Sequence, residues 1–521
     1  MHMNSIRSRL TARLLTASTL LGCLLSATRA DSQRAKQVPK TWDEAALADW
    51  ANPVAGLNLR PSSMLASEYY SLPTENVRTY PVYYPGREPE GYWDMLQRTS
   101  PKPLIETDDL NTEADWIAAG RRVFDELDHF HLRTYDPKFI TAARTLATFQ
   151  QVGANPLPDG TVFGMRWVPT AQGVALSFSN CSGCHLLYLK DGTRVPGAPA
   201  LARVSRAEPR AVAVPLLRAV ADANHVIGTA IPFRMPDEPL GVSWYRAYGV
   251  PWLKDDPNER LKSMPAADAV AFAGAGMLGG AFPRWNGSVF YPTKIPDLIG
   301  FKDRKYIDAT ATHLHRNVGD FMRYAALVSF AETTDFGPHH VLGEGAKRVA
   351  ARAPDEALYA LALYIYSLKP PPNPNPVDER AVAGQRIFAR EGCPRCHTPP
   401  LYTNNKLTLA QGFEPPKDAP PTLDILPISV RTDPGLALRT RKGTGYYKVP
   451  SLKGVWYRGH YLHDGAAASL EEMFDPDRLK DTHVPGWSLP GTTTRAIKGH
   501  EFGLRLSPSE REQLIAFLRT L

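Results

Sequence analysis

The residues of this chain best suited to chemistry are four cysteines and two histidines in two copies of one short motif. The first copy comprises Cys181, Cys184 and His185, and the second comprises Cys393, Cys396 and His397. Two thiols at this spacing can form thioethers with the two vinyl groups of one haem, and the histidine that follows can bind the iron. The sequence therefore predicts two covalently bound haem c groups, with His185 and His397 as proximal iron ligands.

A redox-active dithiol, a zinc site and a structural disulfide are the alternatives for each pair. A zinc site made from both motifs would leave the histidines without a role, and a thioredoxin-like pair does not explain a histidine after both copies. The fifth cysteine, Cys23, lies in a segment that we expect to be removed. Every cysteine of the mature chain then belongs to a haem motif, which favours haem attachment.

The second motif is flanked by patterns typical of the helices of a cytochrome c domain. Gly384-Gln385-Arg386-Ile387-Phe388 stands just before it. Near the end of the chain, Ser507 and Glu510 form a capping box with Pro508 in the first turn. The apolar face of that last helix contains Leu514, Phe517, Leu518 and Leu521. We expect the second haem domain to span residues 377–521.

The first motif has a weaker version of the same signature. Gly120-Arg121-Arg122-Val123-Phe124 resembles the later segment, but a much longer stretch separates it from Cys181. We expect an N-terminal extension at 31–110, then a first haem domain at 111–368 that ends in an apolar helix at 355–368. The proline-rich stretch 369–376 favours polyproline II and predicts a short stiff linker.

Proline is unusually frequent, with 47 in 521 residues, which favours irregular connections between short elements. The predicted fold is mainly α, with two cytochrome c-like haem domains and long irregular, proline-rich insertions. A glycine-rich stretch at 274–279 matches a dinucleotide-binding motif, but Pro283 follows too soon for the phosphate-binding helix.

The first thirty residues predict export. Arg7, Arg9 and Arg13 precede an apolar run at 14–25, and small residues lead to a cleavage point near Ala30. Lipoprotein anchoring at Cys23 is a less favoured alternative, and the apolar run is too short for a transmembrane segment. The expected location is periplasmic or secreted. Four arginines of this signal supply more than half of the net charge of +7, so the charge gives no reason to expect nucleic acid as a partner.

The sequence resembles one family over its last third. Residues 448–458 (Lys-Val-Pro-Ser-Leu-Lys-Gly-Val-Trp-Tyr-Arg) are followed by Tyr461-Leu462-His463-Asp464-Gly465 and Leu470-Glu471-Glu472. These stretches are similar to the bacterial di-haem cytochrome c peroxidase superfamily, which includes the methylamine-utilisation di-haem enzyme and the rubber oxygenases. The ending Gly499-His500-Glu501-Phe502-Gly503 is closer to the longer, rubber-oxygenase-like branch. The resemblance implies an α-rich, two-domain protein whose haems exchange electrons, and a calcium site whose ligands cannot be mapped.

The chain also departs from the family pattern. Peroxidases of this family have an axial methionine for the second haem where this chain has Asp477, and Met473 comes too early. The resemblance to the longer branch then implies His500 as the sixth ligand, with His463 near the haem interface. For the first haem, the family's distal histidine falls at Leu201, so an open or weakly ligated iron is expected.

Two classes of function follow. The first is a redox enzyme whose open first haem activates peroxide or dioxygen while the second haem delivers electrons from a small redox partner or electron donor. The second is a non-catalytic electron carrier in which a remote residue, such as His225 or Met235, closes the first iron. Of the remaining histidines, His313 and His315 are expected in a loop, solvated or capping, and Trp285 is expected in the core.

Overall fold

The chain is described here by a computed structural model. It covers residues 38–48, 50, 65–128, 133–151, 155–177, 180–200, 242, 245, 253–265, 268–269, 271–272, 281–282, 289–331, 351–417, 423–440 and 443–521. Several features discussed above lie outside the described residues: the expected signal with Cys23, Leu201, His225, Met235, the stretch 274–279 and Trp285.

Short helices alternate with longer ones. The α-helices are α1 (Glu44–Leu47), α2 (Ala66–Ser71), α3 (Tyr92–Arg98), α4 (Glu113–Glu126), α5 (Pro137–Ala142), α6 (Leu146–Gln151), α7 (Cys181–His185), α8 (Val318–Ala326), α9 (Asp355–Ser367), α10 (Glu379–Arg390), α11 (Gly435–Arg439), α12 (Val455–Arg458), α13 (Leu470–Met473) and α14 (Pro508–Arg519). Single 3₁₀ turns occur at Thr107–Asp109, Glu259–Lys262, Phe301–Asp303, Cys393–Arg395 and Pro476–Leu479, and a π turn at Leu327–Ala331. Among the described residues, no helix has the length and apolar character needed to cross a membrane.

The strands are β1 (Tyr80–Tyr83), β2 (Arg133–Thr134), β3 (Thr161–Thr170), β4 (Gly173–Ser177), β5 (Leu186–Tyr188), β6 (Arg194–Pro196), β7 (Ala281–Phe282), β8 (Thr293–Lys294), β9 (Leu407–Leu409), β10 (Ile425–Leu426) and β11 (Tyr446–Lys448). The largest sheet has the order β1-β3-β4-β2, with antiparallel neighbours. A second sheet has the order β10-β9-β11, and two-stranded sheets join β5 to β6 and β7 to β8.

These sheets correct the expectation of a mainly α fold with irregular insertions, because helices and strands are mixed. Part of the stretch predicted as an irregular insertion forms β3 and β4. The register pairs Trp167 of β3 with Tyr80 on one side and Leu176 on the other. Trp167, Leu176 and Val82 are buried in one apolar cluster. This packing joins segments far apart in sequence, and such packing decides whether a strand forms.

A crossed pair of helices occurs once in each half of the chain. In the first half, α4 packs on α9, and a Cβ added to Gly120 would lie 1.9 Å from the carbonyl oxygen of Ala360. In the second half, α10 packs on α14, and a Cβ at Gly384 would lie 1.9 Å from the carbonyl oxygen of Gln513. Only glycine allows the helix backbones to approach so closely at these crossings.

Each helix pair belongs to its own hydrophobic cluster. The first cluster contains Phe124, whose ring lies 5.4 Å from that of Tyr364, and it also takes in Trp42 and Tyr69 from the N-terminal extension. The second cluster contains Phe388, whose ring lies 5.3 Å from that of Phe517. The residues of this second cluster all come from 387–521. The two halves therefore bury separate cores around equivalent helix crossings.

Besides the paired helices, a short sequence pattern occurs in both halves and connects them. Residues 294–304 and 448–458 share the pattern Lys-x-Pro-x-Leu-x-Gly-x-x-x-Arg. The backbone nitrogen of Lys294 donates to the carbonyl of His463 at 2.7 Å, and the backbone nitrogen of Lys448 donates to the carbonyl of Ala309 at 3.1 Å. Ala309 follows the first copy of the pattern at the same sequence spacing at which His463 follows the second copy. The contact is thus reciprocal, as in a two-fold symmetric interface.

The proline-rich segment between the halves is fastened to the last helix. Side-chain amides of Asn373 and Asn375 donate to the carbonyl of Arg519 at 2.8 and 3.1 Å. Residues 368–377 have no helix or strand, and the short stiff linker stays a prediction. These bonds anchor the linker at the end of α14.

Candidate haem sites

The first C-x-x-C-H motif forms the short helix α7, which is tied to the end of α4. The side chain of Asn180 caps α7 by accepting from the backbone nitrogen of Gly183 at 2.7 Å, and its amide donates to the carbonyl of Asp125 at 2.9 Å. Nδ1 of His185 lies 3.1 Å from the carbonyl oxygen of Pro296 and donates to it. That bond fixes the plane of the ring, as the second-nitrogen bond of metal-binding histidines generally does.

The second motif begins as a 3₁₀ turn after Gly392, whose φ of 73° is left-handed. Asn404 binds the end of this turn: its backbone nitrogen donates to the carbonyl of Cys396 at 2.8 Å, and its side chain donates to the carbonyl of Arg395 at 3.0 Å. Nδ1 of His397 donates to the carbonyl of Tyr402 at 3.2 Å. Both proximal histidines therefore have the same orienting bond to a backbone carbonyl.

The repeated Lys-x-Pro pattern supplies this support in both halves. Pro296, which binds His185, occupies the same position of the pattern as Pro450, whose carbonyl also lies against the ring of His397. The family resemblance alone draws attention to residues 448–458 and not to 294–304. A search of the chain against itself would have found the pair, because five identical residue types recur at fixed spacing.

The four motif thiols form no disulfide with one another. Burial is the main influence that raises the pKa of Cys393 to about 11 and also raises the pKa of Cys396. Reactive dithiols have a cysteine whose pKa is lowered instead. The environment of the second pair is therefore unlike that of a thioredoxin-type site.

The structure brings His500 against His397, although 103 positions separate them along the chain. Their ring centroids are 6.3 Å apart. An iron atom bonded to one nitrogen of each ring at about 2 Å would place the centroids about 6 Å apart. Burial lowers the pKa of each histidine to about 4, which favours the neutral imidazole that binds metals. The pair fits an iron with two histidine ligands.

His500 lies on a strained and closely packed turn. Its φ is +47°, and its backbone nitrogen donates to the carbonyl of Val430 at 2.7 Å. Nδ1 of its ring is buried, with no hydrogen-bond partner among the described residues. At the preceding Gly499, a Cβ would lie 2.3 Å from the backbone of Arg431. Such strain at a single residue persists where the surroundings fix it, often at a functional site.

Arg478 holds this turn in place, and sequence analysis missed it. Its side chain is completely buried. It donates to the carbonyls of Gly499 and His500 at 2.9 Å each, to that of Met473 at 3.0 Å, and to that of Ile497. Sequence alone gives little signal for such a residue, because arginine is almost never fully buried unless it is bound by partners.

The neighbouring positions named in the sequence analysis have other roles. Asp477, where the family has its methionine, is exposed and pairs with Lys480 at 2.8 Å. Met473 is buried in the second hydrophobic cluster. Nε2 of His463 lies 3.3 Å from the hydroxyl of Tyr447, and the two rings lie 4.5 Å apart. His463 also carries the carbonyl that binds Lys294, so it lies where the two halves meet.

His313 and His315 are packed inside the protein, which corrects the expectation that they would be solvated or capping. The ring of His313 lies 4.0 Å from that of Trp50. Nδ1 of His315 donates to the carbonyl of Arg304 at 2.7 Å, and Nε2 lies 2.5 Å from the hydroxyl of Tyr366. Both rings therefore act in packing and hydrogen bonding around the first hydrophobic cluster.

The positions considered for the far side of the first haem, Leu201, His225 and Met235, lie outside the described residues. No group of three or more His, Cys, Asp or Glu side chains converges as a metal site in the described part of the chain. Neither the state of the first iron nor a calcium site is therefore assigned by the geometry.

No protein-family model matches this sequence. A curated relative, the cytochrome-c peroxidase IdrP1 of Denitromonas iodatirespirans, is 26% identical over 159 residues, which cover 27% of this chain. The match spans 40% of that relative's length. Solved structures with local likeness include a MauG-like protein associated with microbial copper homeostasis, with 16% identity and a TM-score of 0.23 over 34% of this chain and 60% of that one.

Another is the hydrazine synthase of Kuenenia stuttgartiensis, with 15% identity and a TM-score of 0.27 over 56% of this chain and 91% of that one. The curated relative confirms the resemblance that the motifs predicted at the level of the superfamily. The closer resemblance to the rubber-oxygenase-like branch stays a prediction.

Proposed function

We propose that this relative of the di-haem cytochrome c peroxidase superfamily is an exported redox enzyme, peroxidase- or oxygenase-like, with two haem c groups of unequal role. Cys181 and Cys184 would attach the first haem, and Cys393 and Cys396 the second. His185 would bind the first iron, while His397 and His500 would bind the second. The single observation that carries the proposal is the 6.3 Å separation of the His397 and His500 rings in a buried setting.

Haem iron supplies one-electron chemistry and, where one ligand position is open, activation of peroxide or dioxygen. Residues of this chain would give the two irons different surroundings. Arg478 and the turn at Gly499 hold His500 against His397, which favours six ligands and electron transfer at the second iron. The carbonyl of Pro296 would orient His185, which would bind the first iron through its other ring nitrogen.

The test uses the full chain, exported from a host that makes c-type cytochromes. Acid-acetone extraction followed by intact mass should retain two haem additions, and electron paramagnetic resonance should give one low-spin and one high-spin ferric signal. Hydrogen peroxide or cyanide should alter only the high-spin haem, if necessary after one-electron reduction. Absence of covalent haem, or zinc in its place, would overturn the proposal.

An electron carrier with both irons six-coordinate is the competing function. The reciprocal contact between the halves would hold the two haem motifs in a fixed arrangement, which serves an enzyme and a carrier equally. Two low-spin signals that do not respond to cyanide, imidazole or peroxide, even after partial reduction, would identify the carrier. Peroxide as oxidant is suggested by the name of the curated relative, and steady-state turnover with peroxide or dioxygen and a reduced donor separates the peroxidase from the oxygenase.

A further inference from the structure

Four cations from the repeated Lys-x-Pro segments meet where the two halves touch. They are Lys294, Arg304, Lys448 and Arg458. Desolvation by surrounding protein is the largest influence that lowers the pKa of Lys294 and of Lys448 to about 7, and that of Arg304 to about 10. By surface area, however, all four side chains are only partly buried. All four therefore have limited access to solvent.

The arrangement of these cations is crossed between the halves. The positive charge of Arg458 lowers the pKa of Lys294, and that of Arg304 lowers the pKa of Lys448. Each lysine therefore lies near the arginine of the other segment. Within each segment, the arginine donates to the backbone carbonyl of the residue that follows the proline. Arg458 donates to Ser451 at 2.6 Å, and Arg304 donates to Asp297.

The carboxylates near the cluster are fewer than its cations: Asp297 acts on Lys294 and Arg304, Asp303 on Arg304, and Asp308 on Lys448. Asp297 lies 4.0 Å from Nε of Arg458 and accepts from the hydroxyl of Tyr457 at 2.9 Å. No carboxylate in the described part of the chain lies within ion-pair distance of Lys294 or Lys448. Nζ of Lys448 donates to two backbone carbonyls, those of Tyr306 and Ile307, at 3.1 and 2.8 Å. Enclosed cations that outnumber the neighbouring carboxylates are costly, so this grouping is suited to an anionic ligand.

The cluster adjoins both proximal histidines. Pro296, whose carbonyl binds His185, is two residues from Lys294. Pro450 lies against His397 and is two residues from Lys448, and the charge of Arg458 acts on His397. An anion held here would therefore sit beside both haem motifs.

We propose that these four residues bind the carboxylate groups of the two haems in a crossed manner. Lys294 and Arg458 would hold the carboxylates of the haem attached at Cys393 and Cys396, and Lys448 and Arg304 those of the haem attached at Cys181 and Cys184. Each haem is then held by residues of both halves. The inference rests on the proposed function, and its chemistry is recognition of a carboxylate by an ammonium and a guanidinium group.

The test compares Lys294→Met and Lys448→Met with the wild type in the haem-loaded full chain, by spectroelectrochemical titration. Removing a positive charge beside a haem carboxylate stabilises the ferric state. Lys294→Met should change the ratio of reduced to oxidised second haem at fixed potential about tenfold, which for one electron is about 59 mV. Lys448→Met should do the same to the first haem. Lys302→Met and Lys453→Met, on exposed positions of the same segments, are the matched controls.

The charge-keeping variants Lys294→Arg and Lys448→Arg should retain the wild-type potentials, and they serve if either methionine variant fails to fold. Normal haem content with unmoved potentials in both methionine variants would overturn the inference and leave the proposed function intact. A shift in the haem of the same half would overturn the crossed arrangement. Wild-type potentials that depend saturably on added acetate would also overturn it, because the cluster would then bind a free carboxylate. Absence of haem from the wild type would overturn the proposed function itself.

Discussion

The two halves of the molecule hold the motif histidines, His185 and His397, in the same way, but the residues considered for the far side of each haem differ. Both histidines bind a backbone carbonyl through Nδ1, and both lie against the proline of a repeated segment. In the second half, the described residues also supply His500. The candidates for the first half, His225 and Met235, lie outside the described residues. Under the proposed function, the support for a cofactor is duplicated in the two halves, while the ligand that decides reactivity is set separately in each.

The largest expected effect is at His500. His500→Ala should convert the low-spin signal of one haem to high-spin, because the iron loses its sixth ligand while the thioethers retain the haem. Electron paramagnetic resonance and intact mass measure the two quantities together. His483→Ala, a change at a histidine that is bound instead to Glu472 at 2.6 Å, should leave both signals as they are. An unchanged spectrum in His500→Ala would rule out His500 as ligand and make the two halves alike.

The next largest expected effect is a loss of stability, and it tests whether the α4–α9 and α10–α14 helix pairs are equivalent. Gly120→Ala and Gly384→Ala should each lower the free energy of unfolding by on the order of 3 kcal/mol, because each new methyl group would collide with a backbone carbonyl of the partner helix. Urea titration followed by circular dichroism measures the loss. Arg122→Ala and Gln385→Ala, exposed on the same helices, should change stability little. A large loss at only one glycine would show that the crossings are not equivalent.

A smaller effect is expected at Arg478. Arg478→Met should give a mixture of low-spin and high-spin second haem, since the turn that carries His500 loses several hydrogen bonds while the ligand itself remains. Excess imidazole should restore the low-spin signal. Arg505→Met, at an exposed position, is the control. If Arg478→Met lowers stability without altering the spin state, the arginine supports the fold alone.

The smallest expected effect is on the stability of the fold, and it concerns the first turns of α14 and α4. Bonds from Arg390 and Ser507 lower the pKa of Glu510 to about 2, and bonds from Thr112 lower the pKa of Asp115. A lowered carboxylate pKa stabilises the fold above the unfolded pKa, about 4, and the gain disappears as pH falls towards 2. Glu510→Gln should therefore be slightly less stable than the wild type at pH 7, with a difference that shrinks at pH 3.

Asp115→Asn should cost less than Glu510→Gln, because Asp115 caps its helix without an arginine from another helix. Glu512→Gln is exposed and should have no effect. Urea midpoints at both pH values measure these differences. A Glu510→Gln deficit that persists unchanged at pH 3 would contradict the electrostatic explanation.

Local features could be predicted well from the sequence. The structure confirms the capping box of Ser507 and Glu510, Pro508 in the first turn, and the burial of Leu514, Phe517 and Leu518. The helix expected at 355–368 is found at 355–367. Each of these features depends on residues within a few turns of one another, where propensity and capping act directly.

Features that depend on distant contacts were harder to predict. β3 forms because β1 and β4 pair with it, and nothing within 161–170 requires that pairing. His500 was proposed from a family resemblance, since its spacing to His397 is uninformative. Arg478 was missed because its partners are backbone carbonyls, which carry no sequence signature.

The reciprocal bonds of Lys294 and Lys448 have one further consequence. In a homodimer, two-fold symmetry forces both subunits to carry the same residues at every position, so their two cofactors must be ligated alike. A contact of the same kind inside one polypeptide has no such restriction. Gene duplication and fusion of a once identical pair would let one copy gain a ligand that the other never acquires, while the shared interface keeps both at a fixed separation.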